Sequence, residues 1–333
     1  MHWTVRPAKM RDAAAVASVC NAWSVCARGT SETSKDDVLR NWRRSGVDVA
    51  TDTRVVEAPN IGILGYATFS DSFHDYARLR GSVFMLPEHR SSEIESDLLD
   101  WIDNRAKESL RRITPGKRVV LSHLALAKDR LRQDLLSSHG YRVVNHSIRM
   151  RLEFHVPTQG EEPQIPAGIS IRSCDRSRDL PAVSAVVQEA FREHHDFVER
   201  TTEEDVDRYE RWLNDDPNID MGVWHLACAA DEVIGVCLGS SCYSGNPNQA
   251  YIFTLGVREA WRGKGVGHAL LAHAIDVFGD RGCTVVDLDV DTANVTGALR
   301  LYERAGMQAQ WQVDSTRRSF ERVAARDGGS APA

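Results

Sequence analysis

The chain has 333 residues, 42% of them hydrophobic and 26% charged, with a formal net charge of −6 and a pI near 6.1. That length accommodates two domains, and the acidic balance argues against a nucleic acid or an anionic membrane as partner, leaving a small molecule as the expected target. No run reaches the roughly 18 apolar residues of a membrane span, and the opening MHWTVRPAKMRD lacks the apolar core of a signal peptide. The seven cysteines include no CxxC pair, so a cytoplasmic protein without disulfides or structural zinc is expected.

In chain order, the first half predicts a short strand at 2–6, an apolar-periodic helix over about 12–25, and a helix over 34–44 with Ser34 as N-cap. Strands follow at 54–57 and 61–69 across a Pro59-Asn60 turn, then at 80–86, with a helix over about 92–110. A strand at 118–124, a helix at 128–138 and a strand over 141–154 after Gly140 complete this half. Residues 156–167 carry three prolines and two glutamates and read as a semi-rigid linker.

The second half repeats this order. Its expected elements are a strand at 168–173, a helix at 179–191, a polar loop at 192–200 and a helix over about 202–213. Next come a hairpin of 224–230 with 233–242, a strand at 251–257, a helix at 268–278, a strand at 283–290 and a helix over about 295–305 ended by Gly306. Two strands over 307–323 and a disordered tail, 324–333, finish the chain. Thr4-Val5-Arg6-Pro7 resembles Ser170-Ile171-Arg172-Ser173, and His139-Gly140-Tyr141 resembles Ala305-Gly306-Met307, both at an offset of 166 residues. Such a repeat predicts two copies of one domain, at 1–155 and 168–323.

Between the strand at 251–257 and the next helix stand Arg262-Gly263-Lys264-Gly265-Val266-Gly267. Glycines that take positive φ let successive N–H groups converge on an anion at a helix N-terminus, and a pyrophosphate is the expected ligand. The spacing is neither a Walker A loop, which needs Ser or Thr after Gly-Lys, nor GxGxxG, because position 268 is His. An ordinary glycine-rich loop is the plainer alternative.

Arg262, Gly265 and Gly267 fit the pattern Arg/Gln-x-x-Gly-x-Gly/Ala, and the segment resembles the acyl-CoA-binding motif of the GNAT superfamily of N-acyltransferases. The resemblance implies an α/β (α+β) fold of two tandem GNAT-like domains, each a mixed, mostly antiparallel sheet flanked by helices. It implies acetyl-CoA, or another short acyl-CoA, as co-substrate and no metal. Leu255, Gly256 and Val257 would line the pantetheine arm, the first and last through their backbone, with the Val257 N–H polarising the thioester carbonyl. Arg262, Gly263, Lys264, Gly265, Val266 and Gly267, with His268, would hold the pyrophosphate. In the arrangement Asn294-x7-Tyr302-x3-Gly306, Asn294 would contact CoA and Tyr302 would be the general acid near its sulfur; a buried core tyrosine is the competing role.

The general base is open. Asp289 alternates with Asp287 and Asp291 along one strand face, and Glu193, His194 and His195 follow the first helix of the second half. Asp289 and Glu193 stand first; a solvated strand face and an ordinary polar loop fit the same residues, and a water relay would serve from any of them. In the first copy, Arg90-Ser91-Ser92-Glu93-Ile94-Glu95 replaces Arg262 to Gly267, so the glycines are gone and carboxylates would repel a pyrophosphate there.

The expected function is direct acyl transfer to a primary amine of a small molecule, catalysed by the second domain of a monomer or homodimer. Tandem organisation with the intact loop second resembles the mycothiol synthase group, although that group has a catalytic glutamate in the strand where this chain has Tyr251 and no acid. Tandem members also modify antibiotics and biosynthetic intermediates. A non-catalytic acyl-CoA-binding protein is the contrary reading.

Overall fold

The computed structural model describes residues 2–71, 78–113, 118–154, 165–194, 197–215, 219–292 and 297–321. The elements of the first half are β1 (Thr4–Arg6), α1 (Ala13–Arg28), α2 (Lys35–Arg43), α3 (Val49–Asp52), β2 (Thr53–Ala58), β3 (Gly62–Ser70), β4 (Arg78–Met85), α4 (Ser92–Ser109), β5 (Arg118–Leu126), α5 (Arg130–Ser138) and β6 (Arg142–Glu153). The second half supplies β7 (Ile169–Ser173), α6 (Arg176–Ala190), α7 (Thr202–Asp215), β8 (His225–Ala229), β9 (Glu232–Ser240), β10 (Gln249–Val257), α8 (Val266–Asp280), β11 (Val285–Asp291), α9 (Ala298–Arg304) and β12 (Gln308–Glu321). The short helix α3 has no counterpart in the sequence expectation. Most of the expected linker and the whole expected tail lie outside the described residues.

The chain forms two compact units, residues 1–146 with 313–333, and residues 147–312. The first has strand order β1-β2-β3-β4-β5-β12 and the second β6-β11-β10-β9-β8-β7. Each is antiparallel except for one parallel pair, β4 with β5 and β10 with β11. The mixed, mostly antiparallel sheet with flanking helices is the architecture expected.

The last strand of each unit comes from the other chain half. β12 pairs with β5 over Val313 to Glu321, and β6 pairs with β11 over Ser147 to Glu153. The two strands expected over 307–323 are therefore one, because no Gly or Pro interrupts Gln308–Glu321 and the uninterrupted strand can leave one unit and finish in the other. Sequence halves and packing units thus divide at different residues, 155 and 168 against 146 and 313.

The repeat is visible in side-chain chemistry. Arg6 Nη1 donates to Asp12 at 2.6 Å while Lys9 N–H donates to the same carboxylate; Arg172 Nη2 donates to Asp179 at 2.9 Å while Asp175 N–H donates to it. In both copies this ties the first strand to the first helix, and the Arg172 guanidinium holds the Asp179 carboxyl well below the usual carboxylate range. Gly140 and Gly306 both take φ above +80° after a helix, as a left-handed C-terminal turn requires.

The first unit's core packs Leu64, Met85, Leu98, Leu99, Ile102 and Leu121 between sheet and α4. The second packs Leu180, Trp224, Ile234, Leu270, Phe278 and Leu288. Among the described residues no helix is long and apolar enough to cross a membrane.

At the start of α4, the Ser91 hydroxyl accepts from Ile94 N–H at 3.2 Å, so the helix caps itself. Glu95 is not presented to an anion as the sequence suggested. It is fully buried, held by Arg90 Nε at 2.7 Å and Arg132 Nε at 2.9 Å, because two arginines make an inward carboxylate cheaper than a solvent-facing one. Removing one partner of a buried ion pair costs about 3–5 kcal/mol. Glu95→Ala should destabilise the first unit by about that much in chemical denaturation, with acetyl-CoA binding unaffected; a loss under about 1 kcal/mol would show that the pair carries little weight.

Candidate active site

Strand β10 sits between β9 and β11, but only part of it is shared. It pairs with β9 from Tyr251 to Val257, with a register shift between Ile252 and Thr254 that leaves Phe253 as a bulge. Its parallel pairing with β11 covers only Gln249–Ile252 against Val285–Leu288. Beyond that point β10 runs on along β9 while β11 continues along β6 to Asp291, so the two strands part.

Backbone directions follow. Arg258 N–H donates to Ile234 on β9 at 2.9 Å, and alternation along the strand turns the Gly256 and Thr254 amides the same way. The N–H groups of Leu255 and Val257 then face the side that β11 has left. Where the strands part, the Val257 amide has no strand neighbour on that side, and the bulge sets which residues face out.

After Arg258 and a 3₁₀ turn at Glu259–Trp261 comes the glycine loop. Gly263 and Gly265 have φ of +72° and +84°, conformations costly for any residue with a Cβ. Gly265 is the N-cap of α8 and has no side chain with which to cap it. Among the described residues, no carbonyl or side chain accepts from the N–H groups of Gly263, Lys264, Gly265, Val266, Gly267 or His268; the first bond of the helix is Ala269 N–H to Gly265 O at 3.0 Å. Gly263, Lys264, Gly265 and His268 are exposed, and the Lys264 ammonium lies 4.9 Å from the Trp261 ring centroid. These orphan donors, with the positive end of the helix dipole, suit an anion such as pyrophosphate.

Arg262 enters this arrangement as a brace. Its Nη2 donates to Ala190 O at 2.9 Å and its Nε to Val257 O at 3.3 Å, and its own N–H is taken by Glu259 O. It ties the end of β10 to the end of α6. Gly256 belongs to the same junction, since a Cβ there would lie 3.1 Å from Ala190 Cβ and 3.2 Å from the Phe191 ring.

Tyr302 on α9 is 8% exposed, and its hydroxyl makes no hydrogen bond to a described residue. Burial, helped by the buried Cys237, raises its pKa well above the usual phenol range, so the proton is retained at neutral pH. A group that keeps its proton until a stronger base appears is suited to protonating a departing thiolate. The neighbouring Leu301 lies 3.6 Å from the position of a Cβ on Gly267, which places α9 beside the start of α8. Asn294 and His195 lie outside the described residues.

The three aspartates of β11 share a face, and each has a basic partner. Asp287 is fully buried and receives both Arg151 Nε and Nη2 at 2.8 Å and Gln249 Nε2 at 2.6 Å. Asp289, with its side chain 38% exposed, receives Arg149 Nε at 2.6 Å, Arg149 Nη2 at 3.2 Å and the Tyr251 hydroxyl at 2.9 Å. Asp291 meets His194 Nε2 at 3.1 Å. Both oxygens of Asp289 are thereby engaged. Glu193 is exposed and has no hydrogen-bond or ion-pair partner among the described residues. Nothing here brings Glu193 and Asp289 together.

The arginines of β6 were not singled out from the sequence. Arg149 and Arg151 alternate along their strand just as Asp287 and Asp289 do, and the register pairs 287 with 151 and 289 with 149. Matching alternation of opposite charges was the available signal, but it needed the knowledge that β6 neighbours β11. Among the described residues no cluster of three or more His, Cys, Asp or Glu side chains is placed to hold a metal.

Residues 184–307 match the model of the acetyltransferase (GNAT) family. The mycothiol acetyltransferase of Renibacterium salmoninarum is 28% identical over 259 residues, covering 73% of this chain and 68% of that protein. A GCN5-related N-acetyltransferase from Sphaerobacter thermophilus superposes with a TM-score of 0.80 at 28% identity, covering 97% of both chains. A tandem GNAT protein from the clavulanic acid biosynthesis pathway shares the fold, with a TM-score of 0.72, 14% identity and coverage of 96% of this chain and 98% of that one. The second half of the chain, which holds the parted strands and the open helix start, thus matches the acetyltransferase (GNAT) family, and the chain as a whole resembles the tandem GNAT proteins, the mycothiol synthases among them.

Proposed function

We propose that the protein transfers an acyl group, acetyl from acetyl-CoA in the first instance, directly to a primary amine of a small molecule, and that the second unit catalyses the transfer. The observation that carries this reading is the contrast between the two helix starts. α8 offers a run of unpaired amides behind two left-handed glycines, whereas α4 is capped by Ser91 and followed by a buried Glu95 ion pair. Only the first can receive a pyrophosphate without giving up an internal bond.

In the proposed site the amides of Gly263 to His268 hold the pyrophosphate. Leu255 and Val257 offer backbone groups to the pantetheine arm, and the Val257 N–H polarises the thioester carbonyl. Tyr302 protonates the leaving sulfur. Asn294 remains a proposed CoA contact on the strength of the family resemblance alone.

A second reading, mycothiol synthesis itself, is favoured by the names of the curated relatives. Against it, β10 carries Tyr251 where the mycothiol synthases have a catalytic glutamate, and that tyrosine is bonded to Asp289. Assaying thiol release from acetyl-CoA with tyramine, glucosamine, spermidine, lysine and the mycothiol precursor amine separates the readings. Turnover of the precursor far above the other amines would favour mycothiol synthesis. Tight acetyl-CoA binding with no turnover on any amine would instead mark a binding protein.

Tyr302→Phe should lower kcat about 100-fold, within the usual range for a general acid. Acetyl-CoA affinity and thermal stability should be kept, since the hydroxyl makes no hydrogen bond to a described residue; unchanged turnover would remove Tyr302 from the mechanism. Gly265→Asp forces a side chain into a left-handed position and puts a carboxylate among the amides the pyrophosphate needs. Calorimetry should show CoA binding weakened at least about tenfold; undiminished affinity would refute the pyrophosphate assignment.

A further inference from the structure

The row of acids on β11 ends in a pair that the steps above do not use. Asp287 and Asp289 face Arg151 and Arg149 across the sheet, but the cross-strand partner of Asp291 is Ser147, which brings no charge. A side chain from a different element meets Asp291 instead: His194, in the turn after α6, with Nε2 3.1 Å from Oδ2. The Asp291 side chain is 10% exposed and that of His194 30%.

The position of this turn matters more than the contact. Ala190 and Phe191 lie against Gly256 on β10, within 3.1 to 3.2 Å of where its Cβ would be, and Arg262 of the glycine loop is bonded to Ala190 O. Three residues after Phe191, His194 touches the last residue of β11. The segment 190–194 therefore bridges the opening between the two strands just where they have parted. His194 is held in place by its own backbone, whose N–H donates to Phe191 O at 2.9 Å and whose carbonyl accepts from Phe197 N–H at 2.8 Å. Its ring lies edge-on to Phe191, 6.2 Å between centroids.

We propose that His194, oriented by Asp291, is the general base that deprotonates the acceptor amine; this rests on the acyl-transfer reading above. The tautomer that donates Nε2–H to Asp291 leaves the lone pair on Nδ1, and the carboxylate stabilises the imidazolium that forms. Nδ1 takes one proton from the R–NH3+ group. The freed nitrogen lone pair attacks the thioester carbonyl carbon, a C–N bond forms, and the C–S bond breaks with its electron pair passing to sulfur. The thiolate takes the phenolic proton of Tyr302, and the second proton lost by nitrogen as the amide forms returns to the tyrosinate oxygen. The proton on His194 leaves to solvent, so amide, free thiol and one H+ balance the ammonium and the thioester.

The assignment places the base on the acceptor side of the opening and accounts for the aspartates. The ionisable groups on this face of β11 and β6 are Asp287, Asp289 and Asp291 on β11 and Arg149, Arg151 and Glu153 on β6, and the two arginines pair with the first two acids. His194 is a catalytic residue in this scheme and Asp291 a positioning residue.

The test compares His194→Gln and Asp291→Asn with the wild type, using acetyl-CoA and the alkylamine of the panel that is turned over best. His194→Gln should lose about 100-fold in kcat at pH 7, and Asp291→Asn about tenfold, with acetyl-CoA affinity by calorimetry unchanged in both. The loss in His194→Gln should shrink as pH rises towards about 10, where an alkylammonium begins to deprotonate in solution. Nitrogen NMR of the wild-type imidazole should show Nε2 protonated and Nδ1 bare, a measurement that needs neither variant to fold. Unchanged kcat in His194→Gln, a loss of the same size at every pH, or the opposite tautomer would overturn the assignment. A wild type that binds acetyl-CoA but acylates no amine would overturn the acyl-transfer reading, and the base with it.

Discussion

Two parallel strands stay paired only while nothing forces them apart, and the parting of β10 from β11 after Ile252 and Leu288 is the constraint on which the chemistry proposed for the second unit depends. While paired, the strands spend their backbone groups on each other. Once parted, β10 keeps β9 and β11 keeps β6, and the inward amides of Leu255 and Val257 become available. Everything else at the site secures this opening. Arg262 fastens the end of β10 to α6, Gly256 lets α6 approach, and residues 190–194 span from one strand to the other.

The two units show how one fold can be open or closed to an anion by hydrogen-bond accounting alone. Both have a parallel pair limited to four residues, and in both the strand residue after the splayed segment donates back to its neighbour, Leu86 to Leu64 and Arg258 to Ile234 at 2.9 Å. They differ at the next helix. At α4 a serine cap takes the Ile94 amide and Glu95 is paired inward with Arg90 and Arg132, whereas left-handed glycines leave α8 with amides that no described residue accepts from. β10 carries a bulge against β9 that β4 lacks against β3.

Charge is handled in the same economical way along β11. Alternating aspartates on a central strand would repel one another if left alone. Arginines at alternating positions on β6 turn the row into paired ions, stiffening the strand that forms one edge of the opening. The price is that Asp289, a natural candidate for proton transfer, has both oxygens committed.

Much of this was legible in the chain. The repeat, the strand-turn-helix around Gly265, the degenerate copy at Arg90 to Glu95 and Tyr302 on its helix all follow from local pattern, because periodicity, glycine placement and spacing act within a few residues. Local pattern could not say that β12 is one strand completing the first unit's sheet, that Glu95 turns inward to two arginines, or that Arg262 bonds the carbonyls of Val257 and Ala190. Each of these depends on a residue far away in sequence. The sequence alone determined the family resemblance and the glycine loop, since the backbone conformations that loop requires are encoded where they occur. Only the tertiary structure decided which acid of β11 meets which base, because that depends on strand neighbours and on a turn from α6 that no local rule places beside Asp291.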